Sequence, residues 1–162
     1  MVSEIWVINA SPLISLGRIG QLILLEKLAG EILVPDAVIT EVRAGFGKDR
    51  FALSTVSWAE SRRVSDIPIP LAVAGWDLGR GESQVLAYCL AKPAKQAVLD
   101  DGMARQCATA LAVPMIGTLG IILRAKRQGL LAEARPWMKK LLDNGLFLDQ
   151  NLIDKALAQA GE

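Results

Sequence analysis

Two adjacent carboxylates, Asp100 and Asp101, directly follow the apolar run Ala97-Val98-Leu99. A short apolar run of this kind is typical of a buried strand. In an open parallel sheet, ligands bind in the crevice beyond the carboxyl ends of the strands. Neighbouring acids at such an edge repel each other unless a cation lies between them. The pair therefore indicates a divalent-metal site, although a helix N-cap role is the simpler interpretation for one of the two aspartates.

Two further acids, Glu41 and Glu82, are placed where they can join this pair. Glu41 lies on a partly apolar helical stripe, where an unpaired charge is costly. Glu82 falls in the first turn of a predicted helix, where the helix dipole favours a negative charge. A salt bridge to Arg43 or contact with solvent is the alternative for Glu41, and the dipole interaction alone is the alternative for Glu82. Both interpretations stay open for each acid.

Asn9 ends the first predicted strand, and its side-chain oxygen is suited either to a metal or to stabilising a turn. The chain has no histidine, so the commonest transition-metal ligand is missing. Oxygen ligands remain, and they suit Mg, Mn or Ca. The two cysteines, Cys89 and Cys107, lie in helix-like segments without C-x-x-C spacing, and we interpret them as small buried apolar side chains.

The composition predicts one compact domain, residues 1–162, with the helices of 130–160 as an extension. Hydrophobic residues make up 52% of the 162 residues, which is ample for a core. No apolar stretch is long enough to span a membrane, and the first four residues do not resemble a signal peptide, so we expect a cytoplasmic protein. The net charge is +1, so nucleic-acid binding requires a local patch. Candidates are 124–127, 139–140 and 62–63, each of which is otherwise a solvated surface.

Predicted strands alternate with predicted helices along the chain, which favours an α/β domain with a mainly parallel sheet. Ser11 is a plausible N-cap for a short first helix that Gly17 and Gly20 break. The segment 56–60 alternates like a strand but remains ambiguous, and 45–49 is expected to be a loop. The predicted strands are 4–8, 31–34, 97–99 and 113–116, and the main predicted helices are 21–29, 36–43, 82–91, 103–111 and 118–126.

Several ordered motifs resemble a PIN domain. They are 8–14, 33–42, Gly81-Glu82-Ser83 and 99–105, followed by 117–120, 124–129 and 160–162. Together they resemble a subgroup of small prokaryotic PIN-like proteins, described as predicted nucleic-acid-binding and likened to VapC-type toxins. The resemblance covers nearly the whole chain and is weakest between Gly45 and Gly75. Each motif is modest, and their order and spacing carry the resemblance.

The resemblance implies a three-layer α/β/α fold and a ribonuclease that depends on Mg²⁺ or Mn²⁺. It implies that Asn9, Glu41, Glu82 and Asp101 form an acidic cluster, with Asp100 adjacent. It also implies that Ser11 or Thr118 orients a metal-bound water or a phosphate. One departure is at Asn9, where aspartate is usual in the family. The substitution removes one negative charge and lowers the expected metal affinity.

The predicted reaction is phosphodiester hydrolysis by a metal-activated water, with Glu41, Glu82 and Asp101 as catalytic residues. The predicted substrate-binding residues are Ser11, Arg80, Arg105, Thr118, Arg124 and Lys126. RNA is the expected partner, as well as a small antitoxin-like protein if the chain is a toxin. The alternative, favoured by Asn9, is a PIN fold that binds RNA or a protein with weak or no cleavage. An aspartyl-phosphatase mechanism is disfavoured because no D-x-D arrangement follows the strand. We further expect a homo-oligomer, formed through the helix within 131–142 or the last helix.

Overall fold

A parallel sheet forms the centre of the computed structural model, which describes residues 4–47, 49–91 and 95–162. Its strands are β1 (Ile5–Ile8), β2 (Glu31–Pro35), β3 (Arg63–Val64), β4 (Lys95–Val98) and β5 (Met115–Ile116). The order is β3-β2-β1-β4-β5, and all pairs are parallel. The first three residues, on which the expectation of no signal peptide partly rests, and Lys48 of the predicted loop 45–49 lie outside the described residues.

Helices connect and flank these strands. They are α1 (Ala10–Arg18), α2 (Ile23–Leu28), α3 (Asp36–Phe46), α4 (Ala52–Glu60), α5 (Leu71–Ala74), α6 (Arg80–Ala91), α7 (Gly102–Ala110), α8 (Thr118–Arg127), α9 (Arg135–Asp143) and α10 (Gln150–Gln159). The predicted three-layer α/β/α architecture with a parallel sheet is confirmed. No helix among the described residues is long and apolar enough to cross a membrane.

The central strand β1 explains why the sheet has helices on both faces. Trp6, Val7 and Ile8 are all fully buried, so side chains on both faces of the strand are covered. Near-continuous apolar strands are typical of parallel sheets with helices on both sides. The core also includes Met138 and Leu141 of α9 and the inner face of α10. The apolar residues that suggested an oligomer are therefore largely buried within the chain itself.

Tertiary packing decided one ambiguous segment and made one local prediction wrong. The segment 56–60 belongs to helix α4, whose buried residues Thr55 and Ala59 are one helical turn apart. Gly17 lies within α1 and does not break it. A side chain at this position would collide with Thr55 on α4. The helix runs on to Arg18, and the glycine instead allows the two helices to approach closely. Strand β3 and helix α5 were not predicted from the sequence.

The start of α1 also differs from the expectation. Asn9, not Ser11, occupies the N-cap position, with extended backbone angles of φ −82° and ψ 167°. Its side chain makes no capping hydrogen bond and is directed elsewhere. Because every strand is parallel, Asn9 after β1 and Asp100 after β4 lie at the same edge of the sheet. The helices α3, α6 and α8 bring further polar side chains to that edge.

Candidate active site

Asn9 is almost completely buried at the end of β1. Its side chain is only 2% exposed, and its Nδ2 donates to Glu82 Oε1 at 3.3 Å. Its Oδ1 is buried and has no hydrogen-bond partner among the described residues. An unsatisfied buried acceptor costs about 1–3 kcal/mol. A free amide oxygen in this position is therefore suited to a cation.

Glu41 reaches the same place from α3. Its Oε1 accepts a hydrogen bond from the Gly81 amide at 3.0 Å. A Cβ atom on Gly81 would lie 2.7 Å from Glu41 Oε2 and 2.9 Å from Asn9 Oδ1, so both oxygens approach the start of α6 closely. With Glu82 in the first turn of α6, three side chains that were far apart in sequence converge at one helix start.

The electrostatics of Glu41 show how crowded this region is. Burial raises the pKa of its carboxyl above the ordinary value, and the negative charge of Glu82 raises that pKa further. The Gly81 amide and the charge of Arg80 lower the pKa without cancelling the rise. The charged form of Glu41 is therefore disfavoured in the folded protein. A cation beside it would reverse this effect.

Asp100 is held by two helix starts. Its Oδ1 accepts from the Thr118 amide at 2.8 Å, and its Oδ2 accepts from Thr118 Oγ1 at 2.6 Å and from Ser11 Oγ at 3.3 Å. Thr118 is fully buried as the first residue of α8. Asp100 therefore links the end of β4 to α1 and α8.

Asp101 is the N-cap of α7, and its Oδ2 accepts from the Ala104 amide at 2.9 Å. The prediction that one aspartate of the pair is a cap is confirmed. Both carboxylates also open onto a cavity of about 520 Å³. We call it the acidic cavity, and its walls include Ser11, Arg18, Glu82, Asp100, Asp101 and Phe147.

A family model described as PIN domain matches residues 5–162. The chain belongs to the PIN-domain family. PIN domains are generally nucleases and usually use divalent metals, so the chain has a nuclease-type fold. No curated protein matched the sequence significantly.

The donor atoms of this PIN domain fit a hard cation in one part of the site. Among the described residues, no three acidic, histidine or cysteine side chains lie close enough together to hold a metal. The set that does converge is Glu41, Glu82 and the unpartnered amide oxygen of Asn9. Carboxylate and amide oxygens are the ligands that Mg²⁺ and Mn²⁺ prefer. The set therefore contains two acids and one neutral amide, and not three acids.

The predicted basic residues divide into two groups. Arg80 stands beside Glu41, and Arg105 donates to the Leu99 carbonyl at 3.0 Å next to Asp100. Arg124, in contrast, lies 3.5 Å from Glu4, which precedes β1 at the opposite edge of the sheet. Lys126 donates to Glu162 at 2.7 Å. The structure therefore brings Arg80 and Arg105 to the acids of the PIN domain and does not bring the two α8 residues there.

Sequence analysis missed three residues of the PIN site. Arg18 lies two helical turns after Ser11 on α1, and both line the acidic cavity, so their spacing was a usable signal. Gly81 belongs to the Gly81-Glu82-Ser83 motif of the resemblance, but no role at the site was predicted for it. Phe147 lies in a segment without periodicity and gave no signal.

The cysteines of the PIN domain have no part in this site. Both are free and buried, as predicted. Burial raises the pKa of the Cys89 thiol to about 12 and also raises that of Cys107. Neither thiol forms a reactive thiolate near neutral pH.

Proposed function

We propose that this PIN domain is a ribonuclease that hydrolyses phosphodiester bonds and depends on Mg²⁺ or Mn²⁺. The observation that carries the proposal is the buried Asn9 Oδ1, which has no hydrogen-bond partner among the described residues and belongs to a side chain that reaches both Glu82 and the region of Glu41. When bound, the metal supplies an activated water and stabilises charge on the phosphate. Glu41, Glu82 and Asn9 would hold it, because their oxygen atoms converge beside Gly81.

The other site residues have distinct roles in this proposal. Asp101 contributes charge at the mouth of the acidic cavity, next to the position of the phosphate. Asp100 positions Thr118 and Ser11, whose hydroxyl groups face it. Ser11 is exposed and is the better placed of the two for contact with substrate. Arg80, Arg105 and Arg18 are cationic side chains in the region of the acids and would bind RNA phosphates.

The decisive experiment is cleavage of a mixed RNA pool by the purified protein in Mn²⁺ and in EDTA. We expect cleavage only with the metal. Glu82→Gln and Asp101→Asn should each reduce the rate at least about tenfold, because each removes one negative charge. Both variants should fold, since Gln still accepts the Asn9 hydrogen bond and Asn is as good an N-cap as Asp.

Leu71→Ala is the matched control, because Leu71 is 91% exposed on α5 and lines neither cavity of the site region. Cleavage that persists unchanged in EDTA would refute metal dependence. Cleavage that persists in both acidic variants would refute the proposed site.

A second candidate function is RNA or protein binding with little cleavage. It is favoured by the neutral Asn9 and by the absence of a three-acid group among the described residues. RNA binding by the wild type without products in Mn²⁺ would support this function. The toxin role, in contrast, is compatible with the ribonuclease proposal, and purification together with the product of a neighbouring short gene would test for an antitoxin-like partner.

Self-association through α10 is also proposed, now with Leu152 as the contact residue. Ile153 and Leu157 of α10 are buried in the chain, whereas Leu152 is 48% exposed on the same helix. Leu152→Glu should therefore shift any dimer towards monomer in sedimentation experiments. A monomeric wild type at micromolar concentration would refute self-association.

A further inference from the structure

Phe147 is the only fully exposed aromatic residue among the described residues. Its side chain is 101% exposed, and it is the only aromatic among the exposed large hydrophobic residues. Trp58 and Trp137, by comparison, are half-buried and lie against Arg62 and Lys140 respectively. An exposed aromatic ring has both of its faces free to contact a ligand.

The position of Phe147 points to the ligand of the acidic cavity. Phe147 lines that cavity together with Glu82, Asp100 and Asp101. It also lines a second, more apolar cavity of about 460 Å³, which Arg105 borders as well. The ring therefore stands on the ridge between the two cavities, within the site region.

The chain around Phe147 is well anchored, so its exposure does not come from a loose segment. Before it, Arg18 donates to the Asn144 carbonyl at 3.3 Å, and the Leu146 amide donates to the Leu141 carbonyl at 3.0 Å. After it, Asp149 caps α10 by accepting from the Asn151 amide at 3.0 Å. The fold therefore holds the ring in solvent at this ridge.

We propose that Phe147 binds RNA by stacking against an unpaired base next to the acidic cavity. This inference rests on the proposed function, in which RNA phosphates enter that cavity. Aromatic side chains stack on bases of any sequence, because every base has a flat π-face. Bases inside a duplex are already stacked on each other, so the ring selects single-stranded RNA.

The test is fluorescence anisotropy with a labelled single-stranded RNA of about 10 nucleotides, a usual site size, in EDTA to prevent cleavage. Phe147→Ala should weaken binding about 5- to 100-fold, the range expected for the loss of one stacked base. Phe147→Leu should weaken it similarly, since Leu is apolar but has no ring. Phe147→Trp should bind the RNA as tightly as the wild type, because it keeps an aromatic ring. Leu71→Ala should match the wild type, because Leu71 is exposed and apolar but lies away from the acidic cavity.

A blunt duplex of the same sequence should bind with an affinity that does not depend on residue 147. Wild-type affinity in Phe147→Leu would overturn stacking in favour of a general apolar contact with the RNA. Wild-type affinity in Phe147→Ala, or no binding of single-stranded RNA by the wild type, would overturn the inference altogether.

The cleavage assay separates this inference from the proposed function. If the Phe147 variants bind RNA as expected and the wild type does not cleave in Mn²⁺, the stacking role stands and the ribonuclease proposal fails. If the wild type cleaves RNA and Phe147→Ala has the same KM and affinity, the ribonuclease proposal stands and the stacking role fails.

Discussion

The Gly81 amide donates a hydrogen bond to Glu41 Oε1 at 3.0 Å, joining residues 40 positions apart in the chain. This bond fixes the start of α6 against α3. It also leaves no room for a side chain at Gly81, since a Cβ atom would collide with Glu41 and with Asn9 Oδ1. The glycine thus allows both oxygens of the proposed metal site to approach the start of α6.

Gly81→Ala should weaken Mn²⁺ binding and RNA cleavage at least about tenfold, because Glu41 and Asn9 must both move to admit the methyl group. Calorimetric titration with Mn²⁺ measures the affinity, and the RNA-pool assay measures the rate. Gly75→Ala is the control, since its Cβ would meet its nearest atom, the Leu71 carbonyl oxygen, at an ordinary 3.6 Å. Unchanged Mn²⁺ affinity in Gly81→Ala would show that the converging oxygens do not bind the metal.

Asn9→Asp should bind Mn²⁺ more tightly than the wild type, since affinity for such a cation rises with ligand charge. Without metal the variant should be less stable by about 1–3 kcal/mol, because it loses the donor to Glu82 and adds a like charge. Mn²⁺ should therefore raise its melting temperature by more than that of the wild type. An equal or smaller shift in thermal melts would place Asn9 outside the metal shell.

Glu41→Gln should melt at a higher temperature than the wild type at neutral pH without metal. Burial raises the pKa of Glu41 in the folded state above its ordinary 4.5, so ionisation costs stability as pH rises through the folded pKa. Below pH 4.5 the carboxyl is protonated in both states, and the advantage of Gln should disappear. Melts between pH 4 and 7.5 check this, and a less stable Gln variant at neutral pH would contradict it.

Glu162→Gln should destabilise the protein at neutral pH, because Glu162 accepts from Lys126 Nζ at 2.7 Å and from the Ala134 amide at 2.6 Å. The Lys126 hydrogen bond, followed by the Ala134 amide, lowers the pKa of Glu162 to about 2. The contribution of its charge to stability is therefore complete above pH 4.5 and is lost as pH falls towards 2.

Urea unfolding of both proteins at pH 7 and pH 3 measures this effect. Glu133→Gln is the matched control, since its exposed side chain forms no hydrogen bond or ion pair with the part of the chain that the structure describes. A difference between wild type and Glu162→Gln that stays constant with pH would show that packing, not charge, makes the contribution.

The placement of Asn9 and Asp100 at one edge of the sheet followed from local patterns, whereas the grouping of Asn9 with Glu41, Glu82 and Asp101 was implied by the PIN resemblance. Apolar runs that end at polar residues mark the strand ends, and parallel strands place those ends at one edge. The PIN-domain family was likewise predicted from motif order and confirmed by the family match. These inferences succeeded because they depend on short-range chemistry and on a topology with few alternatives.

The positions of Arg124 and Lys126 depended on the direction of α8. Thr118 starts this helix of 10 residues beside Asp100, so its last turn lies about 15 Å away, near the opposite edge of the sheet. Neighbouring motifs in sequence therefore lie far apart in space. The helical state of 56–60 was decided in the same way, by packing of Thr55 against Gly17.

The sequence by itself determined the fold family, the oxygen-donor chemistry and the edge at which the acids meet, because these follow from residue types and from the alternation of strands and helices. Only the tertiary structure decided which atoms remain unpartnered and which surfaces remain exposed. Asn9 Oδ1 and the ring of Phe147 are the clearest cases. The hydrogen-bond partners and the exposure of a side chain depend on every element packed around it, and no local pattern contains that information.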